Sequence, residues 1–226
     1  MSDITIYLGN KNYSSWSLRP WLALKQTGAA FSEIVIPLDQ PDSTANIMRH
    51  SPSGRVPALQ HGTTLVWESL AICEYLAEAF PTARLLPPDP ATRAHARAVS
   101  SEMHAGFAAL RQHLPMDIRS RWPLGSRMDI VGRDIERVTA IWRACRERFG
   151  SRGANGRGDF LFGGFTIADA MFAPVATRFV TYGVPLDPVS ATYLEALSEF
   201  PALQEWSAAA AKEPWTIHHD GNDAAT

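Results

Sequence analysis

Two different hydrophobic patterns divide the chain. In the first, apolar residues at positions 4, 6 and 8 alternate with polar or aromatic ones, which predicts a strand buried on one face. Residues 14–27 carry leucines at helical spacing, and Gly28 follows where a helix C-terminus is expected. Similar patterns predict a strand at 31–38, a short helix at 44–50, strands at 56–60 and 64–67, and a helix at 69–80. The predicted order is βαβαββα.

The strand patterns stop after residue 80. Residues 81–90 contain four prolines and no helical periodicity, which predicts a linker. Beyond this segment the apolar residues recur at steps of three and four, as in amphipathic helices. They predict one long helix from Val99 through Met103, Phe107 and Leu110 to Leu114, a second at 131–149, a glycine-rich loop at 150–159, and helices at 166–182, 191–198 and 201–212. The fold class is therefore an α/β domain over 1–80, a linker over 81–90 and an all-α domain over 91–226.

Composition and charge exclude several classes of function. The chain is 46% hydrophobic and 19% charged, with a net charge of -2, so nothing in its overall charge favours nucleic acid. No apolar run reaches the ~18 residues of a membrane span, and the N-terminus carries no basic and apolar leader pattern. The two cysteines, Cys73 and Cys145, form no CxxC pair, which favours a reducing compartment. We expect a soluble, cytoplasmic protein.

An arginine-rich stretch is the local exception to this balance. Residues 111–152 contain ten arginines and five acidic residues, spread through predicted helices. We interpret these arginines as a solvated helix face.

Three motifs carry candidate chemistry. Ser14, Ser15 and Ser17 crowd the predicted start of the first helix, where one serine caps the helix and a further hydroxyl can donate to an anion such as a thiolate. Val56-Pro57 opens a strand, where a cis proline leaves the preceding backbone free to pair with an extended peptide. Each of these motifs alone also has a purely structural interpretation, as a helix cap or an edge-strand proline.

The third motif is Glu68-Ser69, at a strand-to-helix junction. Ser69 can cap the helix while its hydroxyl and amide face a carboxylate, and Glu68 suits an ammonium group. The pair fits the amino-acid end of a ligand. In the second half, Thr166 and Asp169 form a T-x-x-D capping pattern, to which we assign a folding role.

With these motifs in this order and spacing, the chain resembles the cytosolic glutathione transferase superfamily, as a serine-type bacterial member with some zeta-like features. The resemblance covers nearly the whole chain. It implies a thioredoxin-like, glutathione-binding first domain and a helical domain that contributes the electrophile site, with glutathione as co-substrate and no metal. The matching segments are SSWSLR at 14–19, RVPAL at 55–59, ESLAICEYL at 68–76 and FTIADA at 165–170.

The resemblance also assigns the activating hydroxyl. Serine-type classes place it five residues before an arginine of the first helix, which points to Ser14, with Ser15 and Ser17 as alternatives. Tyr7 or Tyr13 would act instead in a tyrosine-type enzyme. A cysteine-type enzyme needs a thiol at position 14, so a thiol-based mechanism is disfavoured.

For glutathione itself, the resemblance implies that Val56 pairs with the cysteinyl backbone next to a cis Pro57. Glu68 and Ser69 would hold the γ-glutamyl end, and Arg55 would bond or steer the anionic tripeptide. The partner of the glycyl carboxylate stays open, with Arg49 and His50 as candidates.

The electrophile site is expected between the two halves, since concave apolar clefts form at domain junctions. The candidate walls are Trp16, Met116, Trp122, Pro123 and Trp215. Trp16 stands where the zeta-like SSCS pattern has cysteine, which argues against simply assigning maleylacetoacetate isomerase activity. The resemblance further implies a homodimer.

Three functions remain open from the sequence. The first is transfer of glutathione to small apolar electrophiles, with hydroperoxide reduction as an extension. The second is glutathione-dependent isomerisation of a small unsaturated acid. The third is a glutathione-binding scaffold protein with little turnover. An intact set of Ser14, Val56-Pro57 and Glu68-Ser69 favours an enzyme over a scaffold.

Overall fold

The computed structural model describes residues 3–150 and 158–217. A four-stranded sheet in the order β2-β1-β3-β4 forms the first half, with β1 parallel to β2 and antiparallel to β3, which is antiparallel to β4. The βαβαββα order predicted from the sequence is confirmed. Its elements are β1 (Ile4–Leu8), α1 (Ser15–Thr27), β2 (Ser32–Val35), α2 (Ser43–Met48), β3 (Ala58–His61), β4 (Thr64–Trp67) and α3 (Ser69–Ala79).

Alternation along β1 explains how the sheet is buried. Ile4, Ile6 and Leu8 are at most 4% exposed and belong to the same core as the inward residues of α1 and α3. The edge strand β2 is shorter than the predicted strand at 31–38, and most of it is exposed. Gly28 ends α1 with a positive φ of 72°, which glycine adopts without steric cost.

Helices build the second half. A 3₁₀ turn at Pro81–Ala83 lies within the predicted linker, and another at Gly125–Arg127 precedes the longest helix. Of the described helices, none is long and apolar enough to cross a membrane. The helices of this half are α4 (Pro90–Ala105), α5 (Ala108–His113), α6 (Met128–Phe149), α7 (Ile167–Tyr182), α8 (Pro188–Glu199) and α9 (Pro201–Ala210).

The prediction of one continuous helix from Val99 to Leu114 is wrong, because the helix breaks at Gly106 and Phe107. Phe107 has a positive φ of 60°, which an α-helix does not allow. At Gly106 a Cβ atom would lie 2.8 Å from the backbone oxygen of Glu102, so a side chain does not fit. Apolar spacing alone does not reveal the break, because residues on both sides of it face the same core.

The helix α7 runs through the centre of the second half and packs on α1 and α4. The predicted capping role of Thr166 and Asp169 is confirmed, since each side chain accepts from the other's backbone N–H in a capping box. Burial raises the pKa of Asp169 to about 6, and the carboxylate also accepts hydrogen bonds from the Leu161 N–H and the Tyr193 hydroxyl, both at 3.0 Å. Most of the loop predicted at 150–159 lies outside the described residues.

Candidate functional site

Ser14 and Ser17 form a hydroxyl pair at the start of α1. Ser14 is the N-cap, and its Oγ accepts the Ser17 backbone N–H at 3.4 Å. The Ser14 hydroxyl donates to the Ser17 Oγ at 2.8 Å, and the Gly9 N–H donates to the same oxygen at 3.0 Å. Ser17 is completely buried, whereas Ser14 keeps 6% of its surface exposed. Ser17 therefore holds the Ser14 side chain in place from the buried side.

A cavity of about 490 Å³ opens in front of these residues, between the two halves of the chain. Ser14 lines it together with Ser15, whose hydroxyl makes no hydrogen bond within residues 3–150 and 158–217. Tyr13 also lines it, and the Tyr13 hydroxyl accepts from Arg119 at 3.0 Å. Val56 closes the same cavity from the loop before β3. Three of the residues predicted as possible hydroxyl donors, Tyr13, Ser14 and Ser15, thus line the same cavity.

A smaller recess of about 50 Å³ adjoins the cavity, and Trp16, Arg55 and Val56 line both. Glu68 and Ser69 line the recess alone, as does Pro57, whose bond to Val56 is cis. The cavity and the recess together bring the predicted glutathione-binding residues to one continuous surface.

The recess holds two unusual features. Glu68 has φ 70°, a left-handed conformation that costs about 1–3 kcal/mol in a residue with a side chain. The buried Ser69 hydroxyl has no hydrogen-bond partner within the described structure. Strained backbone and unpaired buried polar atoms concentrate where a ligand completes the site.

Family models match both halves of the chain. The glutathione S-transferase N-terminal domain matches residues 13–79, and the glutathione S-transferase C-terminal domain matches residues 93–209. The chain belongs to the glutathione S-transferase family.

Curated relatives and solved structures agree with this membership. A probable maleylacetoacetate isomerase of Caenorhabditis elegans is 28% identical over 192 residues, covering 84% of this chain and 86% of the relative. The Mus musculus maleylacetoacetate isomerase is 35% identical over 109 residues, 47% of this chain and 50% of the relative. A Burkholderia glutathione transferase homologue with bound glutathione is 26% identical, with a TM-score of 0.68 over 93% of this chain and 99% of that one. A theta class glutathione S-transferase from Xanthomonas axonopodis pv. citri, also with glutathione bound, is 25% identical, with a TM-score of 0.68 over 92% of this chain and 98% of that one.

Three arginines, Arg19, Arg111 and Arg178, form a layer at the cavity, and we call them the arginine layer. Arg111 and Arg178 line the cavity, and Arg19 lies behind them, fully buried. Trp16 sits between two of them, with the guanidinium carbon of Arg19 4.3 Å and that of Arg111 5.3 Å from its ring centre. None of the three arginines makes a salt bridge with any residue in the described ranges.

Arg19 and Arg178 remain cationic at neutral pH although they are buried. Burial, and secondarily the charges of Arg178 and Arg111, lower the pKa of Arg19 to about 9. Burial also lowers the pKa of Arg178 to about 10. The Nε of Arg178 donates to the Leu114 oxygen at 2.7 Å, and the Nη1 of Arg111 donates to the His104 oxygen at 3.0 Å. The wall is therefore positively charged and fixed by backbone acceptors.

Sequence reasoning missed this arginine layer. Arg111 belongs to the stretch that we interpreted as a solvated helix face, yet it lines the cavity. Arg178 falls within a predicted buried helix, and a charged residue in an otherwise apolar helical stretch was the available signal.

The predicted electrophile-site residues divide into two groups. Trp16 and Met116 line the cavity, whereas Trp122 and Trp215, together with Pro123, do not. The Trp122 backbone N–H donates to the Thr181 backbone oxygen at 2.9 Å, and the Trp215 backbone oxygen accepts from the Arg119 guanidinium at 2.8 Å. Neither Thr181 nor Arg119 lines the cavity.

The remaining candidates lie outside the cavity. Tyr7 stacks on His50 with 4.1 Å between the ring centres, and both line a separate surface depression with Arg49. Cys73 and Cys145 are buried and unpaired, and burial raises the pKa of each thiol to about 12. Among the described residues, no group of three or more His, Cys, Asp and Glu side chains could hold a metal ion.

Proposed function

We propose that this enzyme uses the thiolate of glutathione to isomerise a small unsaturated carboxylic acid. The observation that carries the proposal is the pair Arg111 and Arg178 on the cavity wall, with no carboxylate partner in the described part of the chain. Cations on a cavity wall whose charge is not balanced by a carboxylate fit an anionic ligand that arrives with the substrate. This pair favours the acid substrate over the apolar electrophile that we expected first from the sequence.

Glutathione would occupy the recess and the adjoining part of the cavity. Its γ-glutamyl ammonium and carboxylate suit Glu68 and the unpaired hydroxyl of Ser69. Its cysteinyl backbone suits Val56, beside the cis Pro57. Arg55 lines both spaces and complements the negative charge of the tripeptide. Two glutathione-bound structures of similar proteins support this placement.

Ser14 would keep the sulfur anionic. A free thiol has a pKa of ~8.5, and lowering it by about two units requires roughly 2.7 kcal/mol of preferential anion stabilisation. One hydroxyl bond to a charged sulfur contributes ~1.5–3 kcal/mol, and the N-terminus of α1 a further ~0.3–1. In the structure the Ser14 hydroxyl donates its proton to the Ser17 Oγ, so binding of the sulfur would redirect that proton. The Ser17 N–H bonded to the Ser14 Oγ polarises the hydroxyl and makes it a better donor.

The chemical step begins with addition of the thiolate to the alkene. The sulfur electron pair forms a C–S bond at the alkene carbon β to a conjugated carbonyl group. The alkene pair becomes the C=C bond of an enolate, and the carbonyl π pair moves onto the oxygen. Rotation about the new single bond follows. Collapse of the enolate re-forms the double bond in the trans geometry and expels the thiolate, so no atom is gained or lost. Arg111 and Arg178 would hold the carboxylate and stabilise the developing oxyanion.

Conjugation to an apolar electrophile is the second candidate function. Leu38, Ile47 and Met116 give the same cavity an apolar side. Conjugation to an alkene shares the first step of isomerisation, but the enolate takes up a proton and the adduct is released as product; with an aryl halide, the thiolate replaces the halide, which leaves as an anion. Either way one glutathione is consumed in each turnover.

Product analysis distinguishes the two functions. The substrates are a cis-unsaturated keto acid, its methyl ester and an aryl halide, each assayed for trans product and for loss of free glutathione. We expect the acid to be isomerised without net consumption of glutathione and to react faster than the ester. Equal rates on acid and ester, with stoichiometric loss of glutathione, would establish conjugation instead.

Arg111→Gln tests the anion site directly. Loss of one charge-assisted hydrogen bond costs about 1.5–3 kcal/mol, so kcat/KM for the acid should fall roughly 10- to 100-fold while the ester is little affected. The matched control is Arg121→Gln, since Arg121 is exposed and donates only to nearby backbone oxygens. A loss of the same size for acid and ester would mean that Arg111 supports the fold and does not bind the carboxylate.

A further inference from the structure

The segment that follows α9 reaches back to the turn before α1. The Glu213 carboxylate accepts the backbone N–H of Lys11 at 2.7 Å and that of Asn12 at 3.0 Å, over 202 and 201 residues of sequence. We propose that Glu213 is a positioning residue that fixes Ser14 at the thiol site. The inference rests on the proposed glutathione chemistry and adds to it a control point in the C-terminal segment.

The turn at residues 10–14 needs an acceptor from another segment, because its own hydrogen bonds leave the backbone N–H groups of Lys11 and Asn12 without an acceptor. The Asn10 oxygen accepts both the Tyr13 N–H at 3.2 Å and the Ser14 N–H at 2.8 Å. The amides of Lys11 and Asn12 point away from this turn, and Lys11 and Asn12 are only 6% and 0% exposed. A carboxylate that accepts both amides forms two charge-assisted bonds, the stronger kind of hydrogen bond. Its removal leaves two buried donors without a protein partner.

The second half of the chain holds the same turn from other sides. The side-chain amide of Asn12 donates through its Nδ2 to the Asp117 carboxylate at 2.7 Å, and its Oδ1 accepts the Arg119 backbone N–H at 2.9 Å. The Lys11 oxygen accepts the Trp206 indole N–H at 2.8 Å. Three segments, at residues 117–119, 206 and 213, therefore converge on the turn, and Glu213 supplies the charged acceptor for its backbone amides.

Arg119 ties Glu213 to the cavity. Its guanidinium donates to the backbone oxygen of Glu213 at 2.6 Å, to that of Trp215 at 2.8 Å and to the Tyr13 hydroxyl at 3.0 Å. Tyr13 lines the cavity and immediately precedes Ser14. One connected set of contacts thus runs from the C-terminal segment to the residues at the proposed thiol site.

Loss of Glu213 should act on the thiol more than on glutathione affinity. The turn ends at Ser14, so a shift of its backbone lengthens the bond from the Ser14 hydroxyl to the sulfur and raises the thiol pKa. Glu68, Ser69 and Val56 lie on other segments and make none of these contacts. We therefore expect the KM for glutathione to change less than kcat.

The experiment compares Glu213→Ala and Glu213→Gln with Glu205→Ala. Glu205 is the matched control, because it also joins the C-terminal region to α1, through Lys25 at 2.7 Å, but does not touch the turn. The bound thiol is titrated by its ultraviolet thiolate absorbance, kcat and KM are measured across pH, and amide hydrogen exchange is followed at Lys11 and Asn12.

For Glu213→Ala we expect faster exchange at both amides and a thiol pKa raised by about 0.5–1 unit. The kcat at neutral pH should fall about 3-fold and recover above the new pKa, which simple destabilisation would not produce. Glu213→Gln keeps one acceptor oxygen and should give a smaller change, and Glu205→Ala should match wild type. Unchanged exchange and titration in Glu213→Ala, or an equal loss in Glu205→Ala, would overturn the inference. Absence of a thiolate signal in the wild type would instead refute the proposed chemistry, while the exchange rates still test whether Glu213 holds the turn.

Discussion

Replacing Ser14 with alanine removes the hydroxyl that we assign to thiol activation. The substitution deletes a group that caps α1 and lines the cavity, and it leaves the Ser17 hydroxyl with its bond from the Gly9 N–H. Two separate effects follow. The thiol loses a hydrogen-bond donor, and the helix loses a cap.

The two effects are distinguished because one changes the thiol pKa and the other changes the free energy of unfolding. A hydroxyl bond to a charged sulfur worth ~1.5–3 kcal/mol corresponds to a thiol pKa about 1–2 units higher in Ser14→Ala, at 1.36 kcal/mol per unit. The lost cap lowers the free energy of unfolding by about 1 kcal/mol. At neutral pH the thiolate fraction, and with it kcat, should then fall roughly 5- to 30-fold, and activity should return as the pH rises.

The assay is a pH titration of the bound thiol by ultraviolet absorbance, combined with kcat over the same range and the urea midpoint for unfolding. Ser15→Ala is the control, because Ser15 lines the same cavity but makes no capping hydrogen bond. We expect its thiol pKa to move less than that of Ser14→Ala.

Two results would refute this reasoning. If Ser14→Ala bound glutathione with the wild-type thiol pKa, Ser14 would not be the donor. If Ser15→Ala gave the larger rise in pKa, the unpaired Ser15 hydroxyl would take that role, and the capping function of Ser14 would be structural.

The remaining predictions concern stability. Partial burial pushes the pKa of the α8 N-cap Asp187 up, but hydrogen bonds onto its carboxylate outweigh burial and lower the pKa to about 2. Because the pKa is lower in the folded state, the ionised carboxylate stabilises the fold above about pH 4. The difference in unfolding free energy between wild type and Asp187→Asn, measured by urea unfolding, should therefore be largest at neutral pH and shrink as the pH falls from ~4 to ~2. Gly106→Ala should lower the free energy of unfolding by about 1–3 kcal/mol, because its Cβ would meet the Glu102 oxygen. Gly132→Ala should raise it by roughly 0.5–1 kcal/mol, because Gly132 lies inside α6 and its Cβ would have nothing within 4 Å. Thermal unfolding of both variants checks this, and equal shifts in the unfolding temperature would contradict it.

Local features of the fold could be predicted because their causes lie within a few residues. The alternation in β1, the Gly28 stop of α1 and the Thr166–Asp169 cap all depend on short-range backbone geometry and hydrogen bonding. The break at Phe107 could not be predicted in this way, because the apolar spacing continues across it. Hydrophobic periodicity shows which side of a segment is apolar, but it does not show whether the helix axis continues straight or changes direction.

The candidate site shows the same division. Ser14, Val56 and Glu68-Ser69 stood out in sequence because each occupies a turn or a helix start, where the local backbone already selects the chemistry. Arg111 and Arg178 did not, since the same residue type serves a solvated surface or a cavity wall depending on what packs beside it.

The sequence by itself determined the order of elements in the first half, the cap at Thr166 and Asp169, and the hydroxyl-rich start of α1, because these follow from steric and hydrogen-bonding preferences of adjacent residues. Only the tertiary structure decided that a layer of arginines faces the cavity and that Glu213 binds the turn at Lys11 and Asn12. Such contacts join residues far apart in the chain, and their energies depend on burial and distance, which no single segment specifies.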